Sequence, residues 1–409
     1  MNPDAPDTVS LADVLEATGP NDRYDVYRRL REDNPVRWDP QWSVWVVTGY
    51  HECAAALHDD RITASRFLMG ADWLPPEAWE RITPVLAALQ RQMLFVDGKD
   101  HARLRSLANK AFTPRVVEGM RTGIQDLVDR LLARPGKAGG MDVVRDIAHP
   151  LPVTVIGQLL GVPEVDHPRL KHWSDDFAAF LDGSSLTPET TIQSLLSIAE
   201  FMDYFRALTL GRRAAPHADL LQALVDAELD GDRLSEDELL ANCVLLLAAG
   251  HETTTNLIAN GLHALLTHPD QLDALRADPA LITSAVNELL RFESPVQNTE
   301  RRAERAVELG GIQIAADQAL LIILGAANRD PAVFADPDRL LIGRSGPQHL
   351  AFGYGAHFCL GAALARLEGQ IAIGTVVRRF PNIRLVDRIP RWKRSLLFRS
   401  LETLPVHVS

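Results

Sequence analysis

The sequence predicts a mainly α fold, built as one large helical domain over residues 1–409 with a small β-rich region. Apolar residues recur at helical spacing along most of the chain, and strand-like patches are few and short. No linker is long enough to separate folding units. A chain of 409 residues, 46% of them hydrophobic, is also long enough to bury a large core.

The elements follow in order along the chain. The stretch DRYDVYRRLRED near the start predicts an amphipathic helix, and SVWVVTGY after it predicts a strand. Residues 66–95 are expected to be irregular, with loops and short helices, and 135–140 and 181–189 are expected to be loops. VELGGIQI and ALLIILGAA predict short strands, followed by a proline-rich meander over 330–347.

Composition excludes several classes of protein. A net charge of −12 disfavours a nucleic-acid binder, which needs a basic surface, although a local basic face for an acidic protein partner stays open. Three cysteines are too few and too scattered for a disulfide framework or a four-ligand zinc site. The N-terminus lacks the features of a signal peptide, and the longest apolar run, 244–249, is far below the ~20 residues of a membrane span. We therefore expect a cytoplasmic protein.

A long central helix is predicted in the second half of the chain. Ser235 followed by Glu238 forms a capping box, so the helix should begin near Glu236, and its periodicity continues to about Thr267. At ~1.5 Å per residue this helix is roughly 45 Å long. Apolar residues surround its middle, which predicts that it is buried on all sides.

The motif AGHETTT interrupts this apolar background. Gly250 weakens a helix, and the Glu252 carboxylate is costly to bury unless it is used or paired. One interpretation is a locally opened helix that holds an acid, Glu252, and an alcohol, Thr253, beside a reaction centre. The alternative is that the threonines bond back to the preceding turn. A zinc protease helix is excluded because Thr255 stands where that motif needs its second histidine.

Two further segments carry charged pairs at helical spacing. Glu288 and Arg291, in a helix that starts near Asp278 and ends before Pro295, share one face with apolar neighbours and predict a buried ion pair. We expect a structural rather than a catalytic role for it. His101 and Arg105 lie one turn apart and suit a carboxylate or phosphate, although a solvated helix face would show the same pattern.

The stretch FGYGAHFCLGAALAR places Cys359 between a glycine-rich loop and a helix. Phe358 stands where a dinucleotide fingerprint needs its third glycine, so that motif is excluded. The start of a helix should lower the pKa of the thiol. His357 is expected to point to the opposite side of an extended loop, which disfavours it as a base for a nucleophilic cysteine. A thiolate ligand of a metal or haem iron is favoured over a cysteine that only packs.

Together these segments resemble the cytochrome P450 superfamily of haem-thiolate monooxygenases, in its soluble bacterial form. The motif F-G-x-G-x-H-x-C-x-G is matched in full from Phe352 to Gly361, and the resemblance extends over nearly the whole chain. It implies the cytochrome P450 fold, in which the long central helix crosses over the haem. By the same resemblance Cys359 is the axial ligand of the iron, and Phe352 packs beside its sulfur.

The resemblance implies roles for residues of the other segments too. The haem propionates would be held by His101, Arg105, Arg301 and His349. Arg339 in the meander would complete the buried network of Glu288 and Arg291. Glu252 and Thr253 would form the acid–alcohol pair that handles protons on the distal side.

The implied activity is insertion of one atom of dioxygen into a hydrophobic small molecule, by C–H hydroxylation or epoxidation, in bacterial secondary metabolism. The cofactor would be haem b. Electrons would come ultimately from NAD(P)H, through a ferredoxin and a ferredoxin reductase as separate proteins, with Arg103 and Lys110 as candidate docking residues. The alternatives are a haem-thiolate ligand-binding protein, or a haem isomerase or dehydratase without external electrons. The Glu252–Thr253 pair argues against both.

A polyketide or terpenoid intermediate is the expected substrate. By position in the family, the pocket would be lined by Phe67, Leu68, Phe95, Phe177, Leu245, Ala248, Ala249, Val296, Gln297 and Leu397.

Overall fold

The structure is a computed structural model that describes residues 9–17, 19, 22–64, 76–109, 112–183, 187–214, 219–226, 228–229, 232–387 and 389–408. Most of these residues are helical, which confirms the predicted mainly α class. Within the described ranges, no helix combines the length and the apolar character needed to cross a membrane.

The helices are α1 (Leu11–Glu16), α2 (Asp22–Asp33), α3 (Tyr50–His58), α4 (Pro76–Leu89), α5 (Gly98–Asn109), α6 (Pro114–Gly119), α7 (Arg121–Ala138), α8 (Pro150–Leu159), α9 (His167–Asp182), α10 (Pro188–Ala214), α11 (Leu220–Val225), α12 (Glu236–Thr267), α13 (Pro269–Ala277), α14 (Ile282–Phe292), α15 (Leu324–Ala327) and α16 (Ala362–Arg379). Single turns of 3₁₀ helix cover Glu164–Asp166, Pro279–Leu281 and Gly355–His357, and a π-helical turn covers Val144–Ala148.

The strands are β1 (Val36–Asp39), β2 (Val44–Val47), β3 (Ile62–Thr63), β4 (Gly140–Asp142), β5 (Glu228–Leu229), β6 (Asp232–Arg233), β7 (Thr299–Ala303), β8 (Val307–Leu309), β9 (Ile312–Ile314), β10 (Ala319–Ile322), β11 (Arg384–Leu385), β12 (Arg391–Trp392), β13 (Leu401–Thr403) and β14 (Pro405–His407). The largest sheet among the described residues has the order β1-β2-β10-β7-β3. Within it β2 and β10 are parallel, with Trp45 opposite Leu320, and the other neighbours are antiparallel. The strand predicted at 43–50 is present as β2, and the stretch 307–314 is a hairpin of β8 and β9. The strand predicted at 319–327 ends at Ile322, because Leu324–Ala327 forms α15.

Helix α12 is the central element, with the predicted start and end. The hydroxyl of Ser235 accepts from the Glu238 N–H and the Glu238 carboxylate accepts from the Ser235 N–H, so the capping box is present. The helix is continuous through 250–256, so the expected local opening is wrong. A side chain at Gly250 would lie 3.3 Å from Ile156, which explains the glycine by close packing of α8.

Two hydrophobic clusters flank the middle of α12. Its buried residues from Leu239 to Ala248 pack with α4, α8, α9, α10 and α11. Those from Leu257 to Leu265 pack with α7, α14 and α16. The intervening turns carry Glu252 and Thr253 and belong to neither cluster, so the polar motif lies between two apolar cores.

Two segments differ from the sequence-based expectation because packing outweighs the proline signal. The expected irregular stretch 66–95 contains the 14-residue helix α4, which buries Ile82 and Leu89 despite Pro84 in its interior. Helix α7 continues through Pro135 to Ala138, where a loop was expected, and buries Leu132. In both, burial of one apolar face offsets the loss of a single backbone N–H.

Candidate active site

A cavity lies between the middle of α12 and the loop that carries Cys359. It contains about 1510 Å³ of space free of atoms, open solvent at its mouth included. Its wall is mostly apolar. The lining residues are Leu57, Met93, Leu94, His101, Arg105, Phe112, Ile156, Leu245, Leu246, Ala249, Gly250, Thr253, Thr254, Leu257, Leu290, Pro295, Val296, Thr299, Arg301, Leu324, Ala351, Phe352, Gly353, Tyr354, His357, Cys359, Leu360, Gly361, Leu364, Ala365 and Glu368.

The glycine-rich loop folds tightly beneath this cavity. Gly353 and Gly355 have φ of +70° and +71°, in the left-handed region that side chains rarely adopt. A Cβ at Gly355 would also lie 2.7 Å from the Leu57 carbonyl oxygen of α3. The Cys359 N–H donates to the Phe352 carbonyl at 2.9 Å and closes the loop. The backbone is thereby folded so that Cys359 lines the cavity.

The environment of Cys359 differs from the expectation in one respect. Burial raises the pKa of this thiol, and the Gly361 N–H, Arg105 and Arg366 offset only part of that rise. The expected lowering by the helix start is therefore wrong in net sign: α16 begins at Ala362, three residues after the sulfur, and burial dominates. A bound metal ion would deprotonate the thiol directly.

Phe352 stands at the base of the same loop. Its ring lies 4.5 Å from the guanidinium of Arg366 and 6.2 Å from the ring of Phe358. Phe352 lines the cavity together with Cys359, so the two residues share one wall.

Four nitrogen-bearing side chains line another part of the cavity: His101, Arg105, Arg301 and His357. The rings of His101 and His357 lie 4.1 Å apart. Burial, followed by the nearby His357, lowers the pKa of His101 to about 4. Two guanidinium groups with two imidazoles form a surface that suits carboxylates.

The histidine that joins this cluster is His357 rather than the predicted His349. His349 is buried outside the cavity wall, where its Nδ1 accepts from the Ala351 N–H at 3.2 Å and its Nε2 has no partner among the described residues. The predicted extended loop at His357 is a 3₁₀ turn, Gly355–His357, which directs that side chain into the cavity. The sequence-based placement of both histidines is therefore corrected.

Asp97 fixes the orientation of His357. The Nε2–H of His357 donates to the Asp97 carboxylate at 2.8 Å. The same carboxylate accepts from the Thr63 hydroxyl and from the Ala64 N–H. Despite burial, these hydrogen bonds hold the pKa of Asp97 well below its ordinary value. Asp97 was not predicted, because it meets His357, 260 residues away in the sequence, only in the folded chain.

Glu252 and Thr253 point to different sides of α12. The Thr253 hydroxyl lines the cavity and donates to the Ala249 carbonyl at 2.7 Å, which is the back-bonding that the sequence left as an alternative. The buried Glu252 carboxylate turns toward the C-terminal hairpin, where the Ser400 hydroxyl donates to it at 3.2 Å and Lys393 Nζ lies 3.8 Å away. The acid therefore faces the C-terminal hairpin and the alcohol faces the cavity.

A second buried acid, Glu368 of α16, was not predicted. It lines the cavity, and its Oε2 has no partner among the described residues. Burial raises the pKa of Glu368 well above its ordinary value, which favours the protonated form of the carboxyl. The sequence signal was available, since Glu368 interrupts the apolar face of α16.

The buried ion pair of Glu288 and Arg291 has the predicted geometry. Arg291 Nε lies 2.7 Å from Glu288 Oε2, and each side chain is only 2% exposed. The third member, however, is Arg344, whose Nε lies 3.0 Å from Glu288 Oε1. Arg339 offers only its backbone carbonyl to the network, and its side chain is 68% exposed beside Asp336. The prediction for Arg339 is therefore wrong: it points outward from the meander.

The predicted pocket residues divide into three groups. Leu245, Ala249 and Val296 line the cavity. Phe67 and Leu68 lie outside the described residues. The remaining five do not line it, and they are Phe95, Phe177, Ala248, Gln297 and Leu397.

Those five side chains are engaged elsewhere. Phe177 and Ala248 pack in the apolar cluster of α9, α10 and α12, and Phe95 is also buried away from the cavity. The Gln297 amide donates to the Ser294 carbonyl at 2.6 Å. The backbone of Leu397 bonds to the Asp182 carboxylate and to the Gln297 N–H.

The two cations predicted to dock a redox partner are Arg103 and Lys110. Arg103 forms an ion pair with Glu238 at the start of α12, so its charge is engaged inside the protein. Lys110 lies outside the described residues. The predicted docking role of Arg103 is therefore wrong.

Comparisons with known proteins show which family this chain resembles. Residues 80–386 match the family model described as Cytochrome P450. Cytochrome P450 107B1 of Saccharopolyspora erythraea is 42% identical, with 98% of each chain covered. The 6-deoxyerythronolide B hydroxylase of the same organism is 39% identical, with 95% of this chain and 96% of the relative covered. A crystal structure of P450BioI in complex with hexadec-9Z-enoic acid ligated acyl carrier protein superposes with a TM-score of 0.90 at 37% identity, over 98% of this chain and 100% of that one.

A cavity that joins the Cys359 thiol to an arginine–histidine cluster is the arrangement expected of a haem-thiolate enzyme. The chain belongs to the cytochrome P450 family and is a monooxygenase of that family. Family membership implies a haem iron, and the residues present fit one. Cys359 offers a soft ligand, the four nitrogen-bearing side chains suit its two carboxylates, and the rest of the wall is apolar.

Proposed function

We propose that this monooxygenase inserts one oxygen atom into a C–H bond or an alkene of a hydrophobic small molecule made in bacterial secondary metabolism. The observation that carries the proposal is the apolar cavity between Cys359 and the Thr253 hydroxyl. A large apolar molecule can bind there with one of its carbons held near the centre. The polar groups of the wall lie mainly with the arginine–histidine cluster, which the haem would occupy.

Five side chains would hold the haem: Cys359 as the ligand of the iron, and His101, Arg105, Arg301 and His357 at the carboxylates. Bound there, the haem would supply the binding and activation of dioxygen, which amino-acid side chains cannot perform. Asp97 would keep the His357 ring turned toward the cavity through its hydrogen bond. Phe352 and Arg366, which stack on each other, would shield the sulfur from water.

The proton chemistry on the opposite wall would be divided between two residues. Because the Thr253 hydroxyl donates to Ala249, its oxygen lone pairs are left to accept a hydrogen bond within the cavity. Thr253 would thus orient a proton donor near the reacting oxygen. Glu252, reached from solvent past Lys393 and Ser400, would take up protons and pass them toward the cavity through water.

The substrate class follows from the wall and from a relative. Leu245 and Ala249 of α12, together with Val296, offer only apolar contacts to a molecule in the cavity. The relative named 6-deoxyerythronolide B hydroxylase is similar over 95% of this chain. A polyketide similar in bulk and polarity to 6-deoxyerythronolide B is therefore the proposed substrate.

Electrons would come from a separate ferredoxin and an NAD(P)H-dependent reductase in the cytoplasm, and the 409 residues would act as one domain. The alternatives without external electrons, a ligand-binding protein or an isomerase or dehydratase, do not need an acid and an alcohol that deliver protons to dioxygen. The presence of both Glu252 and Thr253 in the middle of α12 therefore disfavours them.

The test is a panel of macrolactones, terpenoids and fatty acids offered to the haem-loaded protein. Compounds that displace the distal water should give a high-spin optical shift. With ferredoxin, reductase, NADPH and ¹⁸O-labelled dioxygen, a true substrate should gain one labelled oxygen. Conversion without reductant would establish the isomerase or dehydratase alternative, and binding without any turnover would establish the ligand-binding one.

A further inference from the structure

Three helices bring His149, Asp175 and His251 together on the side of α12 that faces away from the cavity. His251 is a fully buried residue of α12, His149 directly precedes α8, and Asp175 lies on α9. His251 Nε2 lies 3.2 Å from His149 Nδ1, and His149 Nε2 lies 3.9 Å from an Asp175 carboxylate oxygen. One donor atom from each of the three residues lies within 4.8 Å of the others.

We propose that His149, Asp175 and His251 form a binding site for a divalent transition metal, with Zn²⁺ as the natural occupant. Two imidazoles and a carboxylate are a donor set that zinc uses, with a water in the fourth position. Ligand atoms about 2.1 Å from a tetrahedral zinc lie about 3.4 Å from each other. His251 Nε2 and His149 Nδ1 are close to that spacing at 3.2 Å, and the Asp175 carboxylate would have to turn toward them.

A neighbouring side chain orients the imidazole of His251 as a ligand. The Ser174 hydroxyl lies 2.9 Å from His251 Nδ1 and leaves Nε2 as the ligand atom.

Lys171 is the natural competitor for this site. Its ammonium lies 2.6 Å from Asp175 and neutralises the one carboxylate that the metal needs. The Asp175 side chain is 37% exposed and that of His149 is 16% exposed, so an ion can reach the site from solvent. Metal binding would exchange the Lys171 contact for a metal–carboxylate bond.

Occupancy would fasten α8, α9 and α12 at one point close to the cavity. Ile156 of α8 packs on Gly250 and lines the cavity, and Gly250 precedes His251 in α12. The metal would thus stiffen the wall opposite Cys359 without touching the substrate. This inference does not depend on the proposed substrate.

The test uses chelator-treated, haem-loaded protein titrated with Zn²⁺ in a calorimeter. We expect one saturable site and a rise in the temperature of unfolding. His149→Gln and Asp175→Asn should each weaken binding at least ten-fold, and Lys171→Gln should strengthen it several-fold by freeing Asp175. A zinc-edge anomalous map of the crystal should show a peak between the three side chains.

The matched control is His172→Gln on the same helix, which removes an exposed imidazole paired with Asp176. It should leave zinc binding unchanged. Each variant is first shown to keep the carbon monoxide spectrum of the parent, so that misfolding is separated from loss of a ligand. No saturable binding, or binding that survives both His149→Gln and Asp175→Asn, would overturn the proposal. So would an anomalous peak located only at the His172–Asp176 pair.

Discussion

Glu252 lies 3.8 Å from Lys393, so the acid in the middle of the central helix contacts a half-exposed cation of the C-terminal hairpin. If this contact is the proton inlet, Glu252→Gln should lower kcat about ten-fold or more and increase the solvent isotope effect. Lys393→Met should lower kcat a few-fold in the same way. The neighbouring variant Arg394→Gln, which removes only an exposed pair with Glu16, should behave like the parent enzyme. Equal rates for all four proteins would contradict the inlet.

The Thr253 hydroxyl should determine how efficiently electrons are used. Thr253→Ala should lower the product formed per NADPH consumed, with a matching rise in hydrogen peroxide, because the proton donor in the cavity loses its acceptor. Thr255→Val is the matched control, since Thr255 is buried away from the cavity and its hydroxyl has no partner among the described residues. Product and peroxide are measured by chromatography and a peroxidase assay. Full coupling in Thr253→Ala would refute the role.

The meander network gives a test based on two arginines. Arg344→Met should lower the free energy of unfolding by about 2 kcal/mol, because it removes a charge-assisted hydrogen bond from the buried Glu288 carboxylate. Arg339→Met should change that free energy by less than about 0.5 kcal/mol, because its side chain is exposed. Urea unfolding followed by circular dichroism measures both. The reverse order would restore the original assignment of Arg339.

His349 predicts how stability depends on pH. Burial lowers the pKa of His349 to about 3, so the unfolded chain binds this proton more readily than the folded one. The free energy of unfolding should therefore fall as the pH drops below about 6.5, by roughly 3 kcal/mol at pH 4 from this group alone. His349→Gln should show a shallower slope over that range, whereas His51→Gln, which changes an exposed histidine, should not. Parallel slopes for parent and His349→Gln would contradict the assignment.

Cys359 should determine the spectrum of the haem. Reduced protein with carbon monoxide should show the red-shifted Soret band of a thiolate-ligated haem, and Cys359→Ala should lose it. Cys243→Ala is the control, because Cys243 is buried in the apolar cluster and does not line the cavity. A red-shifted band that persists in Cys359→Ala would show that another group binds the iron.

Local patterns explain what could be predicted from the sequence. The capping box of Ser235 and Glu238 determines where α12 begins, and the spacing of Glu288 and Arg291 places both on one helical face. These features depend on residues within one turn of each other. Helix periodicity and hydrogen bonds to nearby backbone act over that range. The amino-acid sequence alone is therefore sufficient to predict them.

The errors all concern positions that are determined by distant partners. His349 and His357 stand in one loop, and the turn Gly355–His357, which packs on the Leu57 carbonyl of α3, is where the chain places His357 in the cavity wall. Arg339 and Arg344 both lie in a meander without periodicity, so no spacing rule distinguishes them. The pocket wall had the same difficulty: Gln297 is adjacent in sequence to a lining residue, but its amide is held by Ser294.

The AGHETTT turns of α12 lie between two apolar clusters. Mutations in these turns and mutations in the clusters should therefore have different effects on folding. Leu239–Ala248 and Leu257–Leu265 anchor α12, so changes there threaten the fold itself. Ala249 and Thr254 belong to neither cluster yet face the cavity, so replacing them reshapes the wall at little risk to folding. A library restricted to such positions should therefore yield mostly folded proteins with altered substrate choice. The same architecture would let natural descendants change substrates in few steps.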